Sequence, residues 1–323
     1  MKKYILLAVC AVALAFTSCS DSEEIDIRYQ VKVVIDPSDV IKSFNGFRYG
    51  NELLGLDMME DTELAITSFI YDENGDLVES KRGYIDNYKK KASFSQNLSA
   101  SDKFTIVTIS YSVLEDDGDI YSAYSLENYS RLDKLSITQL YADSYYSNWT
   151  VLGLDITTID ASKGDVTVNL KPATAMVELG FKNIDYYNSV GVDRLLIAYG
   201  NNQACRFVDN SAVYSKVGDL SYDRIEELDL TVNQGSKNIG TIINVLPTDD
   251  MRYWAAAYIG EYRYFTVSSN QTIDVEAGSS YVINCYFNKK TFETEALTRA
   301  SSAVSNNDVK KSILATELFK IVK

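Results

Sequence analysis

Cys19 carries the most specific chemistry in this chain. It follows Lys2 and Lys3, an apolar run from Tyr4 to Phe16, and the small residues Thr17 and Ser18. A basic head, a short apolar stretch and small residues ahead of a cysteine predict a lipoprotein signal peptide over residues 1–18. It is cut before Cys19, whose thiol then takes a lipid such as palmitate. The apolar run falls short of the ~20 residues a membrane-spanning helix needs, so attachment is expected through lipid alone. Elsewhere the inventory excludes more than it offers. The chain has no histidine, which removes Ser-His-Asp and Cys-His catalysis and zinc sites built on imidazole. Carboxylates abound, but no pair stands out as a tuned acid and base, so no enzyme and no cofactor are expected.

Other spacings suggest sites and have plainer readings. Asp72, Asn74 and Asp76 start like a calcium loop, but Gly83 stands where the distal bidentate Glu belongs. A hairpin turn accounts for them better, and Glu115-Asp116-Asp117-Gly118-Asp119 reads as a solvated turn; no metal is expected. Cys205 and Cys285 either pair as a disulfide, as export permits, or remain buried thiols. Tyr145, Tyr146 and Trp149, with Trp254 further on, offer flat faces for stacking on sugar rings, and this gives an alternative function, glycan binding with host or dietary glycans as partners. Alternation along strands places such residues in cores as well. With 31 basic and 45 acidic side chains and a net charge of −14, the surface repels phosphate backbones. Nucleic acid is therefore not an expected partner.

The elements that must position these residues are strands. The 323 residues exceed a usual single core, predicting two domains, and 24 tyrosines with short alternating runs of Thr, Val and Ile give an all-β texture. Val31, Val33 and Ile35 alternate as in a half-buried strand. From Thr62 to Tyr71, Leu64, Ile66 and Ile70 share one face and Ala65, Thr67, Phe69 and Tyr71 the other. Both faces are largely apolar, so this strand belongs in an interior. Asn74-Gly75 turns it into Leu77-Val78-Glu79-Ser80. Further strands are expected at 92–98, 104–113, 151–156, 166–170, 173–181, 192–199, 241–246, 253–259, 263–267, 273–275 and 281–287. Short helices are expected within 121–146 and 222–230. The polar segment Asp160–Asp165 marks the boundary between an N-terminal β-sandwich (28–163) and a C-terminal one (164–290), preceded by an acidic tether (19–27). The polar tail, 291–323, carries a helix over 308–323, ends disordered, or offers Leu318-Phe319-Lys320-Ile321-Val322 as a strand to another subunit.

These residues carry a family resemblance. The lipid leader with Ser20-Asp21-Ser22-Glu23-Glu24 resembles the export signal of Bacteroidetes surface lipoproteins. The run Phe69-Ile70-Tyr71-Asp72-Glu73-Asn74-Gly75-Asp76-Leu77-Val78 and the strand at 104–110 resemble the N-terminal domain of the Bacteroidales fimbrillins and minor fimbrial anchor proteins, the type V pilus superfamily. Val166–Leu170 with Lys171-Pro172-Ala173-Thr174-Ala175-Met176-Val177, and Ala277-Gly278-Ser279-Ser280-Tyr281-Val282-Ile283, resemble the opening and closing strands of that family's C-terminal domain. The resemblance implies two tandem transthyretin-like, Greek-key β-sandwiches. It also implies an outer-membrane, cell-surface lipoprotein that serves as a fimbrial structural, anchor or adhesion subunit and meets other subunits by strand addition. In polymerising members an arginine-specific protease removes the first strand. Arg28 and Arg48 flank that strand here, either as processing sites or as ordinary surface arginines. The family often has an arginine near the start of its second domain, where this chain has Lys171-Pro172.

Overall fold

The computed structural model describes residues 28–45, 62–85, 91–99, 102–116, 119–140, 151–182, 193–216, 224–229, 238–259, 262–268, 272–288, 291–299 and 309–314. Among the described residues the chain is all-β apart from a helix, α1 (Ser38–Asn45), and a 3-10 turn at Ala161–Lys163. Its first strands are β1 (Arg28–Asp36), β2 (Thr62–Tyr71), β3 (Leu77–Ile85), β4 (Ala92–Ser99), β5 (Lys103–Asp116) and β6 (Asp119–Ser122). Then come β7 (Tyr124–Glu127), β8 (Ser136–Gln139), β9 (Leu152–Asp160), β10 (Val166–Asn169), β11 (Lys171–Pro172) and β12 (Ala175–Lys182). Next are β13 (Arg194–Gly200), β14 (Ala204–Val208), β15 (Ser211–Ser215), β16 (Arg224–Asp229), β17 (Asn238–Val245) and β18 (Thr248–Ile259). The last are β19 (Tyr262–Ser268), β20 (Ile273–Val275), β21 (Ser280–Asn288), β22 (Thr291–Arg299) and β23 (Val309–Leu314).

One sheet, ordered β11-β9-β5-β2-β3 with β6 on β5, has a packed core on each face. On β2, Leu64, Ile66 and Ile70 enter one core while Ala65, Phe69 and Tyr71 enter the other, as the alternation predicts. On β5, Phe104 and Ile106 join the first set, and Val107, Ile109, Tyr111 and Val113 the second. The first core is closed by the sheet β10-β1-β4 through Val31, Val33, Ile35, Leu98 and Val168. The second is closed by the sheet β15-β14-β8-β7 through Tyr124, Ile137, Cys205 and Phe207. Each aliphatic side chain buried this way stabilises the fold by roughly 1.5–3 kcal/mol relative to exposure. Two further sheets, β16-β13-β18-β19 with β20 on β18, and β17-β12-β21-β22-β23, contain the later strands.

The structure departs from expectation in several places, the helix α1 among them. The strands expected to open the second half belong to sheets of the first: β10 runs parallel to β1, with Val33 opposite Val166, and β11 pairs with β9. Residues 224–229 form β16, paired along its whole length with β13, where a helical turn was expected. Backbone pairing overrides the helix-like charge pattern of Arg224, Glu226, Glu227 and Asp229. Within 121–140 the chain makes the short strands ending β6, β7 and β8, not a helix. The tail forms β22 on β21 and β23 on β22, so the helix expected over 308–323 gives way to a strand at Val309–Leu314. Residues 318–322, the candidate donor strand, lie outside the described residues. The hairpin β14–β15 was not expected at all. It turns at Asp209 and Asn210, both with positive φ (48° and 60°), the geometry of a two-residue hairpin loop.

Candidate functional site: the β1–α1 segment and its groove

β1 is the middle strand of its sheet. It pairs antiparallel with β4 from Arg28 opposite Ser99 to Ile35 opposite Ala92, and parallel with β10 over Val33–Asp36. Val31, Val33 and Ile35 are buried against Leu64, Ile66, Ile70, Phe104, Ile106 and Ile159. The three are β-branched, stiff at χ1 and suited to a pleated surface. Removing β1 would leave a slot the width of one strand. Its floor is apolar, and both its walls, β4 and β10, present backbone groups that need partners.

A cluster of polar contacts fixes the far end of the strand. The Asp36 carboxylate accepts from Lys91 Nζ at 2.7 Å, from the Ser38 amide at 3.0 Å and from the Ser38 hydroxyl. The Lys91 ammonium and the two Ser38 donors hold its pKa down to about 2, outweighing the partial burial that opposes them. The Asp36 carbonyl accepts from the Leu170 amide at 3.0 Å, and the Asp165 carboxylate accepts from the Lys32 amide at 3.1 Å. After Pro37, α1 begins with Ile41 N donating to Pro37 O at 3.0 Å. Asp39 pairs with Lys171, whose pKa it raises. Val40 is buried over Gly153 of β9. A Cβ at Gly153 would lie 2.6 Å from Val40 Cγ2 and closer still to Ser110 Oγ. The glycine is therefore what lets the helix seat on the sheet.

Elsewhere on the surface lies a cleft of about 430 Å³ between hairpin tips, lined by Asp72, Thr105, Arg131, Phe207, Val208 and Asn210 among others. Asp72 Oδ1 accepts from the amides of Asn74 and Asp76, both at 2.9 Å, and Gly75 takes φ +78°. The candidate calcium loop is thus a hairpin turn whose first carboxylate is engaged by its own backbone. Arg131 bridges Asp76 at 3.1 Å and Asp133 at 3.0 Å. Beside it, Tyr129 stacks on Phe69 with ring centroids 5.4 Å apart, and the Tyr71 hydroxyl donates to Tyr129 O at 3.0 Å.

Of the residues singled out in the sequence, Arg28 is the exposed first residue of β1. Cys19, Arg48, Tyr145, Tyr146 and Trp149 lie outside the described residues. Trp254 sits in β18, opposite Ala198 and Ser268. Cys205 is a free, fully buried thiol in the second core, and burial pushes its pKa up to about 12. Cys285 lies in β21, opposite Phe181 and Thr294. The structure thus holds Cys205 unpaired, within a core of Ile137, Phe207 and Tyr214. Val40, Gly153 and the Asp36–Lys91 pair were not foreseen. An apolar residue two places after Asp-Pro-Ser, a helix-start pattern, was the available signal for α1.

No family model matches the chain, and no curated protein does. Among solved structures it is similar to a Bacteroides thetaiotaomicron protein named for polysaccharide binding, with 11% identity and a TM-score of 0.49, covering 86% of this chain and 98% of that one. It is also similar to a fimbrial assembly protein of Parabacteroides distasonis, with 11% identity and a TM-score of 0.45, covering 84% and 96%. A third is the C-terminally truncated tip fimbrial protein of Porphyromonas gingivalis, with 9% identity and a TM-score of 0.44, covering 84% and 99%. Fimbrial assembly and cell-adhesion proteins of this bacterial group recur among the structural neighbours.

Proposed function

We propose that this protein is a fimbrial subunit of the bacterial surface, structural, anchoring or adhesive. In this reading it is lipidated at Cys19, held at the outer membrane, and joined to other subunits by exchange of a strand. The observation that carries the proposal is the position of β1. It fills a single-strand slot between β4 and β10 and supplies three buried side chains to a core otherwise built from later elements. Arg28 stands at its start and Arg48 beyond α1. A cut at Arg48 frees a segment that holds its place only through side-chain packing and hydrogen bonds, and a neighbour's terminal strand can then occupy the slot by β-augmentation. An uncut chain keeps its slot full and serves as an anchor or cap. Within this proposal the chain forms two β-sandwich units: β10 and β11 complete sheets of the first, which moves the junction from 163 to beyond Ala173, and the later hairpin β14–β15 returns to the first unit's second core.

The test is intact-mass analysis of the protein taken from its native cell envelope. Acyl mass on Cys19 in a chain that starts there supports the proposal and marks an anchor, and a chain without acyl mass that starts after Arg48 supports it as well and marks a polymerising subunit. An unlipidated chain with a start elsewhere contradicts it.

A further inference from the structure

β15 is the end strand of its sheet, ordered β15-β14-β8-β7, and pairs only with β14 among the described residues. Cys205, Phe207, Ala212 and Tyr214 of the hairpin pack into the second core, so Arg206, Val208, Ser211, Val213 and Ser215 lie on the outer face. Two of these are apolar: Val208 is 53% exposed and Val213 48%. The two-residue loop also decides which main-chain groups are spare. Val208 and Ser211 flank it and exchange their bonds, so by alternation Ala212 and Tyr214 direct their amides and carbonyls away from β14.

A free edge invites another strand, and charge or a bulge is the usual guard. β3, the end strand of the neighbouring sheet, has both: it carries Glu79, Lys81 and Arg82, and its register shifts opposite Tyr71. β15, Ser-Ala-Val-Tyr-Ser, has no charge, proline or bulge. Its charges stand just beyond its ends, Asp209 before it and Lys216 after it, both exposed.

We propose that β15 pairs with β15 of a second copy of this chain, antiparallel about a two-fold axis through Val213. An axis normal to the sheet keeps the two outer faces on one side, and centring it on Val213 overlaps all five residues of both strands. Ser211 then faces Ser215, Ala212 faces Tyr214, and the exposed valines cover each other. In the same register Lys216 of each copy stands opposite Asn210 and beside Asp209 of the other, so opposite charges meet at both ends. The two Arg206 side chains are three strand spacings apart, about 14 Å, beyond the screening length at physiological salt. An edge this short buries far less than the ~1,200 Å² of a stable interface, which sets a dissociation constant on the order of 0.1 mM. Chains tethered to one surface reach effective concentrations of ~1 mM and pair there, side by side. That purpose rests on the surface reading above; the pairing itself is a property of the folded chain and leaves the β1 slot untouched.

Sedimentation velocity of the uncut chain from residue 19, with Cys19→Ser so that it stays unlipidated, tests this in 0.15 M salt. The chain is a monomer at about 5 µM and mostly a dimer at about 500 µM. Val213→Lys sets two ammonium groups face to face on the axis and weakens the dimer at least ~10-fold. The side chain is half exposed, so an unchanged urea midpoint confirms that the fold persists. Val213→Cys places two thiols at a non-hydrogen-bonded pair with Cα atoms about 4.5 Å apart, within disulfide reach, and on oxidation it links chains at least ~10-fold faster than Val208→Cys, as exposed but off the axis. A chain still monomeric at about 500 µM overturns the proposal, as does a Val213→Lys chain that pairs like its parent or a Val208→Cys chain that links as fast as Val213→Cys. If the uncut chain pairs as described but chains cut at Arg48 do not polymerise, the strand-exchange reading fails and the β15 pairing stands.

Discussion

Substituting Gly153 by alanine tests the seating of α1 on the sheet directly. The new Cβ would stand 2.6 Å from Val40 Cγ2, inside any real carbon contact, and nearer still to Ser110 Oγ. Ser110 can turn its hydroxyl aside. Val40 cannot yield as easily, because a β-branched residue in a helix has essentially one χ1 rotamer. The clash therefore falls on α1, at a cost of about 1–3 kcal/mol for overpacking. Against it stands a gain of ~0.4–1 kcal/mol from the lower entropy of the unfolded chain, open here because Gly153 does not sit at positive φ. The net expectation is a loss of about 1–2 kcal/mol. Val40→Ala alone empties a buried site and costs roughly 1.5–3 kcal/mol. In the double variant, the side chain shortened at position 40 makes room for the methyl group added at position 153, so the combined loss falls short of the sum by about 1 kcal/mol. Urea denaturation of the four proteins, compared at common m-value, measures this coupling. Additive losses, within ~0.5 kcal/mol, would show that Val40 and Gly153 do not share one contact and would refute the seating of α1.

Asp36→Asn removes a carboxylate whose folded pKa is lowered from 3.8 to about 2. A lowered pKa contributes stability that is full above about 3.8 and fades as pH falls towards 2. The variant should lose about 1–2 kcal/mol at pH 7, the exposure of Lys91 reducing the full linkage value, and only a few tenths (~0.3 kcal/mol) at pH 2, where the carboxylate is half protonated; equal losses at both pH values would contradict this. Cys205, with its thiol pushed up to about 12, should react with a thiol reagent at pH 8 at least ~100-fold more slowly in the folded protein than in urea. Peptide mapping identifies the labelled site, and fast native labelling would place the thiol outside the core. Gly75→Ala forces an L-residue to φ +78° beside Leu132 and should cost about 1–2 kcal/mol by thermal or urea unfolding, whereas a neutral change would remove the turn geometry as its cause.

Strands buried on both faces were the easiest to read, since β2 and β5 carry apolar residues on both faces, interrupted only by small Ser and Thr side chains along their buried stretches. β1 was legible because Val31, Val33 and Ile35 repeat with period two. Strands defined by pairing more than by burial were not. β16 is rich in charge, and β22 and β23 alternate weakly in a tail that reads as polar. β14–β15 carries its signal in Asp209-Asn210, a pair tolerant of positive φ, but the strands around it are short and one is exposed. The grouping of β10 with β1 depends on a parallel pairing across some 130 residues, which local periodicity cannot report. For the same reason the site was only half visible. The arginines and first strand stood out, while the contact of Val40 with Gly153 joins residues whose types carry no signal of their own.

The most direct test of strand exchange is assembly after a cut. The mature chain is treated with an arginine-specific protease and its size followed by light scattering and electron microscopy, beside a Val34→Cys/Ser93→Cys chain in which a disulfide between facing residues of β1 and β4 staples the strand in place. Strand exchange predicts polymers from the cut chain, monomers from the uncut chain, and monomers from the cut chain while the staple is oxidised. A cut chain that sheds β1 and stays monomeric, or a stapled chain that polymerises as readily as the free one, would contradict it.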